Sequence, residues 1–177
     1  MKALLSLAMI VSMFAFASCS KDDSSNNNNV PVDGDGISQE NKDKAVALQS
    51  YLEGNKFQLS RYYSDTPIDY IDTDNVVKAE QDLWPYVSEW LKDDHYQFGN
   101  DDQVTIEQNA DKIPGDSTEV LLRPYSVTAD KDGVAFKFMG HEYQPLDYRL
   151  IEFSDTLLRV SATWNGKTVK SDYKVVQ

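Results

Sequence analysis

Two histidines, His95 and His141, and one cysteine, Cys19, are the only residues of those two kinds in 177. A lone thiol excludes an intrachain disulfide, so stability has to come from an apolar core. Neither histidine sits in an HExxH or paired-ligand spacing, and His141-Glu142 supplies at most half of a metal site, so no metal and no cofactor are expected. Glycine-rich phosphate loops are missing, as is the Gly-x-Ser-x-Gly elbow of serine hydrolases. Basic residues are also scarce, with 17 Lys and Arg against 29 Asp and Glu and a formal net charge of −12. They form no cluster, and an acidic surface repels phosphate backbones, so nucleic acid is not an expected partner.

What is present begins at the N-terminus. Lys2 is followed by Ala3–Ala17 without a charged residue, the pattern of an export signal and too short to span a bilayer. Phe16-Ala17-Ser18-Cys19 resembles the lipobox read by lipoprotein signal peptidase, although Phe16 stands where Leu is usual. The resemblance implies cleavage before Cys19, with residues 1–18 as signal peptide, and diacylglycerol (palmitate among its acyl chains) on the Cys19 thiol. An ordinary secretory signal is the competing reading, but the sole cysteine lies where a lipobox requires it. Each buried methylene contributes about 0.8 kcal/mol, and two or three acyl chains anchor stably where one does not. Ser20-Lys21-Asp22-Asp23 resembles the acidic run that directs some Gram-negative outer-membrane lipoproteins to the cell surface. The expectation is an outer-membrane, surface-exposed protein whose first partner is the membrane, through lipid on Cys19.

Residues 19–37 read as a flexible tether. Asn26–Asn29 and Asp33-Gly34-Asp35-Gly36 offer little that could offset the entropy of ordering, and the two aspartates lack the later ligands of a calcium loop. The domain is expected over residues 38–177. Ala45, Leu48 and Leu52 predict a helix over Gln39–Leu52, capped by Ser38 and ended by Gly54. A strand over Lys56–Ser64 and a turn-rich connection over Asp65–Asn75 follow. Leu83, Val87 and Leu91 then predict a helical segment over Val76–Leu91, kinked or restarted at Pro85. From His95 onward the pattern is strands and tight turns: His95–Phe98, Gln103–Gln108, Glu119–Thr128, Val134–Met139, Asp147–Phe153, Leu157–Trp164 and Lys167–Val176. Asn165-Gly166 is the strongest hairpin signal among them. Alternation turns Val134, Phe136 and Phe138 inward, with Leu158, Val160, Ala162, Trp164, Val169, Ser171, Tyr173 and Val175. Eight strands joined by short turns leave two exposed edges unless they close, which predicts an eight-stranded antiparallel up-and-down barrel; a sandwich is the alternative.

Leu52-Glu53-Gly54 leading into Phe57 and Leu59, the stretch Asp93-Asp94-His95-Tyr96-Gln97-Phe98, Asn100-Asp101-Asp102 with Val104, and the closing hairpins together resemble the lipocalin-like (calycin-like) domain of small bacterial lipoproteins. The resemblance covers residues 39–177. It implies a mainly β barrel with an N-terminal helix and a helical segment after the first strand. The Gly-x-Trp of lipocalins proper is replaced by Gly54-Asn55-Lys56-Phe57. The resemblance therefore bears on the barrel more than on lipocalin-type ligand binding.

The densest carboxylate pairs, Asp93-Asp94, Asp101-Asp102 and Asp72/Asp74, all flank predicted turns, where Asp serves its own backbone. No enzyme is expected; catalysis on extracellular polymers ranks last. Aromatic residues carry the remaining signal. Tyr62, Tyr63, Tyr70, Trp84, Tyr86 and Trp90 gather around the first strand and the helical excursion, either as a plug or as a binding surface. The primary expectation is a binding module for a small apolar or glycan-derived ligand, with Tyr62, Trp84, Trp90 and Trp164 as ligand-contacting residues. The alternative is a solid barrel serving as an interaction subunit of a cell-envelope complex, with an envelope protein as partner.

Overall fold

The computed structural model describes residues 34–71, 77–112, 118–140, 145–164 and 166–177. The signal segment, Cys19 and most of the tether lie outside the described residues, as do Asp72, Asp74, His141, Glu142, Asn165 and the side chain of Tyr70.

Helix α1 spans Gln39–Glu53. The Ser38 hydroxyl accepts the Asn41 N–H at 3.2 Å, satisfying one of the orphan donors of the first turn. Gly54 N–H donates to Ser50 O and closes the other end. Leu48 and Leu52 share the buried face. The expected helix is thus present with both of its ends.

Nine strands follow in one antiparallel sheet: β1 (Lys56–Ile71), β2 (Val77–Asp82), β3 (His95–Phe98), β4 (Gln103–Glu107), β5 (Val120–Asp130), β6 (Gly133–Met139), β7 (Pro145–Ser154), β8 (Leu157–Trp164) and β9 (Lys167–Val176). Strand β1 pairs with β9 from Lys56↔Val176 to Ser64↔Val169, which closes eight strands into a barrel and leaves β2 outside it. Two hairpins need backbone that favours glycine: Gly133 has φ +130° and Gly166 φ +76°. On the outer face the register partners Arg159 and Asp172 form a two-pronged ion pair at 2.8 and 2.9 Å.

The helical segment expected over Val76–Leu91 is present only in its second half, restarted at Pro85, and Val77–Asp82 is a strand instead. Strand β1 continues past Ser64 to Ile71, so it overhangs the pairing with β9, and Val77–Asp82 pairs with the overhang as β2. An unpaired backbone row is costly, and β2 satisfies it without needing an apolar face: five of its six side chains are exposed. The apolar spacing that suggested a helix is used instead by a 3-10 turn at Trp84–Tyr86 and a short helix α2 at Glu89–Asp93. Pro85 falls in the first turn of the 3-10 segment, where its missing N–H costs nothing.

The inward faces follow the expected alternation. Val134, Phe136, Phe138, Leu158, Val160, Val169, Ser171 and Tyr173 are buried, while Trp164 is 41% exposed. Core packing is concentrated at the end where β5 meets β6. There α1 packs against β3, β5 and β6, and Asn41 Nδ2 donates to Asp130 O at 2.9 Å. Leu48 and Leu52 belong to one buried apolar cluster with Phe57, Phe98, Phe136 and Phe138. Phe98 meets Phe136 edge-on at 5.3 Å and Phe57 at 5.9 Å, the arrangement that ring quadrupoles favour.

Candidate ligand-binding cavity

The other end of the barrel is hollow. A cavity of about 810 Å³ lies between the strand walls and the segment carrying the 3-10 turn and α2, within the roughly 300–1,000 Å³ usual for small-molecule sites. Its position follows from chain geometry. Alternation brings Leu146 and Tyr148 of β7 and Ser171 and Tyr173 of β9 onto the inner face, and an irregularity in the β1–β9 register between Leu59 and Arg61 lets Leu59 and Tyr62 of β1, three residues apart, both face inward beside them. Tyr96 of β3 makes the floor, its ring 5.8 Å from both Phe138 and Tyr173. Below that floor the space among Phe57, Phe98, Phe136 and Leu158 has no room for a water molecule. The rim is Tyr86, Val87, Ser88 and Leu91, with Asp69 from the β1 overhang and Trp164 from the end of β8.

Leu83 fixes the rim segment to the barrel. It is 3% exposed and packs with Ile68, Val169, Tyr62 and Ala162, and its N–H donates to Tyr62 O at 3.0 Å. The β1 overhang and the chain after β2 therefore hold each other in place at the mouth.

The interior polar groups are phenols. Tyr148 and Tyr173 hydroxyls stand 3.3 Å apart. Burial pushes the Tyr62 phenol up to about 12, with Tyr148 adding to the rise. Burial likewise raises Tyr96, with Asp94 next in effect, and raises Tyr173. Tyr148 is raised by burial and drawn part of the way back by hydrogen bonds with Tyr173 and Ser171. Removing a phenolate from water is what makes its formation costly, so these hydroxyls stay neutral donors and acceptors. Among the described residues the lining holds no Lys, Arg or His. The one buried cation among the described residues, Arg123, is outside the lining and donates to Gly140 O at 3.2 Å and Leu122 O at 3.0 Å.

Of the residues expected to touch a ligand, Tyr62 and Trp164 line the cavity. Trp84 and Trp90 do not: Trp84 packs on the core under Lys92, whose Nζ lies 5.2 Å from its ring, and Trp90 is half-buried on α2. They bracket the rim residues that do. Tyr63 belongs to the outer surface, with the Arg61 guanidinium 4.0 Å above its ring. Tyr96, Tyr148 and Leu146 carry no local mark in the sequence as site residues. Period-two alternation along β7 would have turned Tyr148 inward, but nothing local says that it meets Tyr173.

Of the acidic pairs, Asp101-Asp102 lies in the β3–β4 hairpin, where Asp102 adopts φ +58°; Asp93 instead accepts the distant Asp111 N–H at 2.9 Å through Oδ2, and Asp94 is fully buried. Among the described residues no three His, Cys, Asp or Glu side chains are placed to hold a metal ion. No family model, curated protein or solved structure matches the chain.

Proposed function

We propose that this chain is a lipid-anchored outer-membrane lipoprotein, displayed at the cell surface through acylated Cys19, whose barrel binds a small, mainly apolar or glycan-derived ligand and performs no catalysis. The observation that carries the binding reading is the aromatic-walled cavity of about 810 Å³ at one end of an otherwise filled barrel. A folded protein that keeps such a volume open forgoes packing contacts, and a ligand that fills it recovers them. The anchoring reading is supported by Phe16-Ala17-Ser18-Cys19 and the acidic run after it.

Native mass spectrometry of the protein purified from cells under mild conditions tests the first part. A retained mass that Trp164→Ala releases is the expected result, and an empty barrel that also rejects every neutral apolar dye would end the ligand reading. For the anchor, metabolic palmitate labelling is expected in the wild type and absent in Cys19→Ala. Equal labelling of the two would remove it.

A further inference from the structure

We infer that the cavity selects a neutral amphiphile whose alcohol or carbonyl oxygen sits among the tyrosine hydroxyls, and that it discriminates against fatty acids and other carboxylates. The inference rests on the proposed binding role and adds the chemical class of the ligand.

Three observations on the same cavity carry it. First, the deep polar groups, Tyr148, Tyr173 and Ser171, are hydroxyls that can donate to and accept from an uncharged oxygen. Second, among the described residues the lining offers no cation for an ionised carboxylate buried there to pair with, and burying an unpaired charge is far costlier than burying a hydrogen-bonded neutral group. Arg123 is held by backbone carbonyls away from the lining. The connections 72–76 and 141–144, outside the described residues, contain no Lys or Arg and one histidine, His141. Third, the rim carries a carboxylate of its own, Asp69, on a chain of net charge −12, so an anion meets repulsion before it enters. Tyr148 and Tyr173 would accept the oxygen by reorienting their mutual hydrogen bond. Leu59, Leu146 and the tyrosine ring faces would cover the apolar body.

The test uses matched ligands on the chain from Ser20 to Gln177, which contains every contact described here. N-phenylnaphthylamine, a neutral dye, reports occupation of the cavity by its fluorescence, and dodecanol and dodecanoate compete for it at about pH 8, where the acid is ionised. The expected result is displacement by dodecanol at a concentration roughly tenfold or more below that of dodecanoate. Tyr148→Phe with Tyr173→Phe should weaken dodecanol more than it weakens the dye. Asp69→Lys, at an exposed position, should bring dodecanoate closer to dodecanol. Equal competition by acid and alcohol, with the dye bound, overturns the selectivity and leaves the binding role standing. A preference that neither substitution moves overturns it too. A dye that never enters, with neither competitor bound, overturns the binding role and this inference together.

Discussion

The two ends of the barrel are made from the same strands and are both rich in aromatic rings, but they differ in what those rings do. At the closed end Phe57, Phe98, Phe136 and Phe138 pack edge to face beneath α1, and no water-sized space remains. At the open end Tyr62, Tyr96, Tyr148 and Tyr173 stand around about 810 Å³ of empty volume. The added oxygen is one part of the difference. A phenol needs a polar partner when buried: Tyr148 and Tyr173 keep their tips toward one another and Tyr125 at the closed end donates to Gly99 O at 2.7 Å, whereas phenylalanines fill the axis with no such need. The cover is the other part. Helix α1 drives Leu48 and Leu52 into the barrel with 0% exposure, while the rim segment turns Val87 and Leu91 toward the mouth and leaves Tyr86 51% exposed. One end is thus packed solid beneath α1 and the other keeps an open cavity.

That division can be broken most directly at the closed end. Phe136→Ala is expected to cost about 3–5 kcal/mol, read as a lowered midpoint in guanidinium or urea titration. Leu52→Ala, which opens the seat of α1, should cost about 2–5 kcal/mol by the same measurement. If either change were as mild as a surface substitution, the closed end would not be the stabilising half.

Alkaline unfolding probes the open end. Free phenols ionise near pH 10, whereas burial holds Tyr62 to about 12 and lifts Tyr96, Tyr148 and Tyr173 as well. Above about pH 10 the unfolded chain has released protons that the folded chain retains, so stability falls as pH rises and is unaffected below that range. Tyr62→Phe should flatten the decline, which unfolding midpoints measured at a series of alkaline pH values would show. A decline of the same slope in the variant would assign it to other groups.

Smaller effects sharpen the contrast. Ser38→Ala removes the α1 cap and should cost about 1 kcal/mol without changing dye affinity, because the helix lies at the end opposite the cavity. Trp164→Ala should change stability by no more than about 0.5 kcal/mol, since the side chain is 41% exposed, yet weaken dye binding several-fold because it lines the mouth. Opposite behaviour of these two variants would show that the ends are coupled.

Much of the barrel is legible in the chain. The hairpin over Asn165-Gly166 has the bounds its turn signal implies, Leu157–Trp164 and Lys167–Val176, because local alternation and a two-residue turn determine register together. Helix α1 is legible for the same reason, with a cap, a stripe and a stop close in sequence. The stretch Val76–Leu91 misleads because helical spacing of Leu83, Val87 and Leu91 is real but is spent on two short turns, while Val77–Asp82 answers a partner strand that alternation alone does not extend to Ile71. The cavity was half legible. Tyr62 and Trp164 could be picked out as aromatic residues on expected strands, whereas the meeting of Tyr148 with Tyr173 depends on β7, β8 and β9 lying side by side around a closed circle.

Period-two patterning and turn chemistry act between near neighbours, so they suffice for a meander of strands and for which side chains point inward. Whether the inward space is full or empty is a property of volumes summed across strands distant in sequence, and of what covers each end. Only closure of β1 on β9, with α1 seated at one mouth and the overhang of β1 propping a short segment at the other, made this barrel solid below Tyr96 and hollow above it.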